Sequence, residues 1–130
     1  MQKNYIQKKH TRKELIKYLD DLTRKILFLK NENKCFICEC KEKLTIGHLI
    51  TRKSYNIRWD FDNVEIQCRG CNLLHEYHPE IFFYYYIKCY GFKKFENLYK
   101  KSKEKIKNMK NFLEETKKSL EELLKKYTKI

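Results

Sequence analysis

Residues 35–72 of this chain, CFICECKEKLTIGHLITRKSYNIRWDFDNVEIQCRGCN, begin with a CxxC motif and contain a second one directly before the final residue, Asn72. The two motifs are Cys35-Phe-Ile-Cys38 and Cys68-Arg-Gly-Cys71. Each motif can present two thiolates on one tight turn, and two such turns complete a tetrahedral four-cysteine zinc site. Such a site has no open coordination position, so we expect a structural zinc ion that adds folding energy to a small core. Cys40 competes with Cys38 as a ligand, which leaves the register of the first motif open.

The segment between the two motifs predicts the order strand, loop, strand, helix. Residues 44–51 are rich in β-branched side chains and predict a strand that ends near His48. Residues 52–62 predict a polar loop, and residues 63–67 predict a second short strand. A helix is expected over residues 72–77, directly after the second motif. The pattern therefore indicates an α+β fold with a small ββα core.

Helices are predicted on both sides of this core. In the first, apolar residues share one face and Thr11 is the expected N-cap. In the second, apolar residues recur every three and four positions as a heptad seam. We expect the two stripes to pack on each other, with a dimeric coiled coil as the alternative. The first stripe is Leu15, Leu19, Leu22, Ile26 and Leu29, and the second is Ile106, Met109, Leu113, Thr116, Leu120, Leu123 and Tyr127.

The positive charge of the chain lies in its flanks. The formal net charge is +13; residues 1–31 carry 9 basic and 3 acidic side chains, residues 32–91 carry 8 of each, and residues 92–130 carry 13 and 6. This layout predicts one domain (1–130), made of an N-terminal basic helix (1–31), a zinc-stapled core (32–91) and a C-terminal basic helix (92–130). Such an excess of charge predicts a polyanionic partner. We expect nucleic acid and no membrane, because no apolar run approaches the roughly 18 residues of a membrane span.

Two remaining segments indicate the cellular compartment of the protein and a further helix of its hydrophobic core. Met1 to His10 is polar and lacks the apolar stretch of a signal peptide, so we expect a cytoplasmic protein with reduced thiols. Residues 81–87, IFFYYYI, follow Pro79, which fits the first turn of a helix with His78 as its cap. We expect this helix to belong to the core, with Cys89 as a small core residue, although aromatic rings also stack on unpaired bases.

Three polar side chains inside the zinc frame form a pattern. His48, Asn63 and Asn72 occupy the predicted strand, strand and helix in an order that resembles the motif of HNH, or ββα-metal, endonucleases. More narrowly, residues 12–126 resemble the NinG (Rap) family of phage recombination nucleases. The likeness is specific around the two CxxC motifs and general in the helices. The stretches that carry it are Cys35-x-x-Cys38, Gly47-His48-x-x-Thr51, Arg58-x-Asp60-x-x-Asn63 and Gln67-Cys68-x-x-Cys71-Asn72.

The resemblance implies both a fold and an activity. The fold is a small ββα-metal (HNH) core stapled by a four-cysteine zinc site and flanked by N- and C-terminal basic helices. The activity is metal-dependent, structure-selective cleavage of branched DNA, such as Holliday junctions and D-loops, in the cytosol of a bacterial host. His48 would activate water as general base, Asn63 would fix the loop that orients the imidazole, and Asn72 would bind one Mg²⁺ or similar cation. Imidazole suits a base, since its ordinary pKa is about 6.5.

Gly47 departs from the wider HNH pattern, in which Asp or His at this position gives a second ligand to the catalytic cation. Because glycine has no side chain, either another residue supplies that ligand or the site holds its cation weakly, through water and a phosphate of the substrate. We expect the ligand from His75 or His78, which follow Asn72 closely in the sequence. His75 shares a helical face with Asn72. Further candidates are Glu76, Asp60 and Asp62.

Partners and alternative functions follow from the same residues. A homodimer through the C-terminal helix would suit a junction-cutting enzyme, because two symmetric nicks require two active sites. Gly47 favours one alternative, a zinc-stapled module that binds nucleic acid without cutting it. A weaker alternative is a helical protein whose basic helices bind an acidic partner. The side chains expected to contact DNA phosphates are Arg52, Lys53, Arg58 and Arg69.

Overall fold

A computed structural model of the chain describes residues 10–129, so most of the polar N-terminal segment discussed above, residues 1–9, lies outside the described residues. The fold is α+β, mostly helical with one two-stranded sheet. None of the helices in the described part of the chain is long and apolar enough to span a bilayer. The elements are α1 (Arg12–Lys30), β1 (Leu44–His48), α2 (Tyr55–Arg58), β2 (Val64–Cys68), α3 (Arg69–Leu74), α4 (Pro79–Tyr90), α5 (Phe92–Ser102) and α6 (Met109–Thr128).

The two strands form an antiparallel sheet with helices on both faces. In its register, Leu44 pairs with Cys68, Ile46 with Ile66, and His48 with Val64. One face carries Val64 and Ile66, which are buried against Leu27 of α1. On the other face, α3 brings Asn72 close to the backbone of Gly47. The sheet therefore joins the basic N-terminal helix to the small helix that follows the second CxxC motif.

Helix α1 begins at the predicted cap. Thr11 Oγ1 accepts a hydrogen bond from the Glu14 amide at 3.1 Å, and the Glu14 carboxylate accepts one from the Thr11 amide at 2.9 Å. These reciprocal bonds form a capping box. Leu15, Leu19, Leu22 and Ile26 are buried as predicted. The prediction was wrong for Leu29, which is 46% exposed, because the last turns bury Leu27 against the sheet instead.

Helix α6 packs on α1 within the same chain, as predicted for the two stripes. Its buried residues Leu113 and Leu120 join the core formed by α1. The helix begins at Met109 because Asn108 caps it, accepting a hydrogen bond from the Asn111 amide at 3.0 Å, so Ile106 lies outside it. The homodimer through this helix stays a prediction. Leu113 and Leu120 could not contribute to its interface, because both are buried within the chain.

Helix α4 has a buried face and an exposed face. Phe82 and Tyr86 are fully buried in a second core cluster, whereas Phe83, Tyr84 and Tyr85 are exposed. Pro79 occupies the first turn as predicted, and the helix ends at Gly91, whose φ of 89° favours glycine. The expectation that Cys89 belongs to the core was wrong, because the residue is exposed. The buried cluster on this helix contains Phe82 and Tyr86 and does not extend to Cys89.

The segment predicted as a polar loop, residues 52–62, joins two cores. It contains the short helix α2, and its residues Ile57 and Trp59 are buried. Trp59 packs in the core between α1 and α6, and Ile57 packs in the cluster under α4. The predicted helix over residues 72–77 also differs from the structure. Helix α3 spans Arg69–Leu74, because Cys68 Sγ accepts a hydrogen bond from the Cys71 amide and caps the helix there.

Candidate metal and catalytic site

The four cysteines of the two CxxC motifs lie together. The Sγ atoms of Cys35, Cys38, Cys68 and Cys71 are all within 4.8 Å of one another, and those of Cys38 and Cys68 are 3.7 Å apart. A tetrahedral zinc site with Zn–S bonds near 2.3 Å implies sulfur–sulfur distances of about 3.8 Å. The cluster can therefore hold a structural metal ion such as zinc. Among residues 10–129, no other group of three or more His, Cys, Asp or Glu side chains is arranged to share an ion.

Backbone contacts set the register of the first motif. The Phe36 amide donates to the Ile66 carbonyl at 2.8 Å, which fastens the turn to β2. The Cys35 amide donates to the Cys40 carbonyl at 2.8 Å and closes the turn. Cys40 Sγ instead accepts from the Glu42 amide at 3.3 Å. The cluster therefore contains Cys38 and leaves Cys40 outside.

His48, at the end of β1, is oriented by one contact. Its Nε2 lies 3.0 Å from the backbone oxygen of Arg58. Because a carbonyl oxygen only accepts, Nε2 carries the hydrogen of the neutral ring and Nδ1 keeps its lone pair. Burial lowers the pKa of His48 below its ordinary 6.5, against the opposing effects of the Arg58 carbonyl and the Asp20 carboxylate. The imidazole is therefore neutral at pH 7 and able to accept a proton at Nδ1.

An ion pair from α1 holds the segment that contacts His48. Arg58 donates from Nε and Nη2 to the two oxygens of Asp20, at 2.9 and 2.7 Å. Trp59 Nε1 donates to the same carboxylate at 2.8 Å. The Arg58 guanidinium is thus engaged inside the fold, so its contact with phosphate stays a prediction. Asp20 was missed in the sequence because nothing local links it to a residue two elements away.

Of the basic residues predicted to contact DNA, the other three have free access to solvent. Arg52, Lys53 and Arg69 are exposed. Arg52 and Lys53 follow β1, and Arg69 opens α3. They are therefore placed where a polyanion can reach them, next to the elements that carry His48 and Asn72.

Asn63 is fully buried and joins the two ends of the segment between the strands. Its Oδ1 accepts from the Ile50 amide at 2.8 Å, and its Nδ2 donates to the carbonyls of Ile50 at 3.0 Å and Ile57 at 3.2 Å. The side chain satisfies three backbone groups that have little access to water. It therefore holds the backbone after His48 against α2.

Replacing Asn63 with alanine should destabilise the zinc-loaded protein by about 3 kcal/mol, because buried backbone groups would lose their partners. Urea unfolding followed by circular dichroism measures the change. Asn33, which is exposed, provides the matched control, and its alanine variant should stay within about 0.5 kcal/mol of the wild type. A loss below about 1 kcal/mol for Asn63→Ala would contradict the tethering role.

The surroundings of Gly47 bring two side-chain oxygens together. A Cβ atom built on Gly47 would lie 2.6 Å from Gln67 Oε1 and 3.0 Å from Asn72 Oδ1. Gln67 has no exposed surface, and neither its Oε1 nor its Nε2 has a hydrogen-bond partner. Its alternation with apolar Val64 and Ile66 predicts only that it points to the other face of the sheet. That α3 buries it there was not foreseeable from the sequence.

The other predicted cation ligands are arranged differently. His75 has Nε2 at 3.3 Å from the Leu49 carbonyl, while its Nδ1 is buried without a hydrogen-bond partner. His78 is exposed, and its Nδ1 lies 3.2 Å from the Glu80 carboxylate. Asp60 pairs with Lys101 at 2.7 Å, Asp62 pairs with Lys94 at 3.4 Å, and Glu76 is exposed. Of the predicted cation ligands, Asn72 is the one whose side chain is among the nearest atoms to the Cβ position of Gly47.

Comparison with known proteins found no matching family model, no matching curated protein and no matching solved structure. The resemblance to HNH and NinG nucleases therefore rests on the motifs of this sequence. Of the predicted cofactors, the four-cysteine cluster supports a structural metal ion such as zinc. The catalytic Mg²⁺ or similar cation stays a prediction.

Proposed function

We propose that this protein is an HNH-type, metal-dependent endonuclease that hydrolyses phosphodiester bonds in branched DNA. The observation that carries the proposal is the contact of His48 Nε2 with the Arg58 carbonyl at 3.0 Å. This contact selects the tautomer in which Nδ1 is the proton acceptor, and burial keeps the ring neutral. A positioned neutral imidazole is the side chain most often used as a general base.

In the proposed reaction, Nδ1 of His48 takes a proton from the water that attacks the phosphorus atom. The resulting imidazolium is held by its Nε2–H bond to the Arg58 carbonyl, and the nearby Asp20 carboxylate favours its positive charge. Asn63 and the Asp20–Arg58 pair act as positioning residues, since they fix the two segments that meet at His48. A divalent cation held at the Asn72 amide oxygen would supply charge neutralisation at the phosphate and at the leaving 3′ oxygen.

Exposed basic and aromatic side chains support DNA as the substrate. Lys103, which is exposed, lies 5.0 Å from the ring centroid of Tyr99. Tyr84 and Tyr99 are exposed, and exposed aromatic rings can stack on unpaired bases. Lysine contacts with phosphate do not depend on sequence, so binding should weaken steeply with salt and show little sequence preference. Selectivity for Holliday junctions and D-loops rests on the sequence resemblance.

A cleavage assay tests the proposal. Zinc-loaded protein would be incubated with labelled Holliday junction, D-loop, flap and linear duplex, in Mg²⁺ or in EDTA. We expect cleavage that depends on Mg²⁺ and is faster on branched DNA than on linear duplex. Binding to all four substrates without cleavage in Mg²⁺ or Mn²⁺ would contradict the nuclease.

A second function, zinc-stapled nucleic-acid binding without cleavage, is favoured by the groups around Gly47. The two side-chain oxygens nearest to the Cβ position of Gly47 belong to the neutral amides of Gln67 and Asn72. Neutral oxygens bind Mg²⁺ less strongly than carboxylates, which Mg²⁺ sites commonly use. The assay separates the two functions, because only the nuclease requires Mg²⁺-dependent products.

The rate of cleavage should rise with pH and reach its plateau below the pH expected for an ordinary histidine. Because burial lowers the pKa of His48 below 6.5, the neutral base form persists to lower pH. Single-turnover rates between pH 5 and 8, with saturating cation, should therefore show an inflection below about 6.5. The same shift predicts that folding stability falls as pH drops through 6.5, since the unfolded state binds the proton more readily. An inflection above 6.5 would contradict His48 as the base in this environment.

A further inference from the structure

We propose that Gln67 is a protein ligand of the divalent cation and, with Asn72, forms a site of neutral amide oxygens beside Gly47. Gln67 thus fills the place of the ligand that position 47 lacks. The catalytic role of this cation rests on the proposed function. The cation site itself is inferred from the burial and the position of the Gln67 amide, which has no other role in the proposed mechanism.

The first reason is the unsatisfied amide of Gln67. The side chain is 0% exposed, yet both its oxygen and its nitrogen lack hydrogen-bond partners. Within residues 10–129, the only other buried side-chain atom in this condition is His75 Nδ1, on the turn that ends α3. Buried polar groups in folded proteins almost always have a partner, and an exception indicates an ion, a water molecule or a functional role.

The second reason is where the oxygen points. Gln67 Oε1 and Asn72 Oδ1 lie 2.6 and 3.0 Å from the same point, the position of a Cβ on residue 47. Oxygen ligands bind Mg²⁺ and Ca²⁺ at about 2.0–2.6 Å. The two side chains would therefore have to turn to hold an ion between their oxygens, clear of the Gly47 Cα atom. Glycine at position 47 lets the Gln67 amide approach the backbone this closely, because the Gln67 Cδ atom would lie only 2.7 Å from a Cβ there.

The third reason is how the two ligands are held. Gln67 directly precedes Cys68, and Asn72 directly follows Cys71. The four-cysteine cluster therefore fixes both backbones from within one turn, while Cys68 also caps α3. A divalent site built on these neighbours depends on the structural ion for its geometry.

Two neutral ligands leave the cation its full charge. Such a site binds the free ion weakly, and a phosphate oxygen of the substrate completes the coordination with water. Three of the other candidates are engaged elsewhere: Asp60 with Lys101, Asp62 with Lys94, and His78 with Glu80. Of the two buried side chains with unpartnered atoms, Gln67 and His75, Gln67 is the one whose oxygen lies beside Gly47.

Titration of zinc-loaded protein with Mn²⁺, followed by electron paramagnetic resonance of the free ion, tests the assignment without any cleavage. Gln67→Leu keeps the size of the side chain but removes its oxygen, and it should weaken Mn²⁺ binding at least tenfold while the zinc content is unchanged. Because leucine also removes two unpaired buried atoms, the melting temperature without Mn²⁺ should stay the same or rise. Gln67→Glu adds a charged oxygen in the same place and should tighten binding at least tenfold.

A ligand exchange provides the second line of the test. Gly47→Asp alone should disturb the site, since its side chain collides with Gln67. Combined with Gln67→Ala, the new carboxylate occupies the vacated space and should restore Mn²⁺ binding that Gln67→Ala alone has lost. The comparison of Gln67→Ala with the double variant tests the ligand assignment even if Gln67→Leu fails to fold.

The outcomes separate this inference from the nuclease. Wild-type protein that binds no Mn²⁺, or a Gln67→Leu variant that binds it as tightly as the wild type, overturns the ligand assignment. If the wild type nevertheless cuts DNA, the nuclease survives. If Mn²⁺ binding depends on Gln67 but no DNA is cut, the cation site stands and the nuclease fails.

Discussion

The Cys38→Ser variant is expected to bind no zinc and to have an unfolded core. The Cys40→Ser variant is expected to keep the zinc content and the stability of the wild type. Cys38 Sγ belongs to the four-sulfur cluster, and Cys40 Sγ contacts the Glu42 backbone instead. A structural zinc ion contributes on the order of 10 kcal/mol to folding, which exceeds the whole stability of many small domains. Zinc content per chain and thermal unfolding under reducing conditions measure the difference.

The Cys40→Ser variant is the matched control, because it makes the same chemical change in the same turn. A chelator added to the wild type should reproduce the Cys38→Ser unfolding, and re-added zinc should reverse it. Equal zinc loss in both variants would contradict the register. A Cys38→Ser protein that keeps one zinc and its melting temperature would contradict the structural site.

Alanine at His48 is expected to reduce Mg²⁺-dependent cleavage by about 10²- to 10⁴-fold, the range for losing a general base. The imidazole is the group whose Nδ1 accepts the proton, while its own Nε2 is held by the Arg58 carbonyl. Zinc content, the melting temperature and the affinity for branched DNA should stay close to those of the wild type. Single-turnover cleavage of the preferred branched substrate measures the effect.

His10→Ala is the control for this variant, since His10 is exposed and its ring stacks on Tyr18. It should cut DNA at the wild-type rate. Cleavage by His48→Ala within tenfold of the wild type would rule out His48 as the base. Loss of zinc in that variant would instead point to a structural role for the imidazole.

Features that depend on neighbouring residues were predictable from the sequence. Thr11 and Glu14 lie three positions apart and form the capping box wherever the helix packs. Pro79 opens α4 and Gly91 closes it, because their backbone preferences are local. The two CxxC motifs give their cysteines the spacing of a zinc site, and those cysteines do cluster.

The sequence alone thus determined the cysteine frame, the start of α1, the two ends of α4 and the strand that carries His48, because periodicity, capping and metal-ligand spacing act over a few residues. Only the tertiary structure excluded Cys40, buried Trp59 between α1 and α6, and paired Asp20 with Arg58. It also placed the amide of Gln67 against Gly47. These contacts join elements that are distant in the chain, so they exist only once the helices have packed on the sheet and on each other.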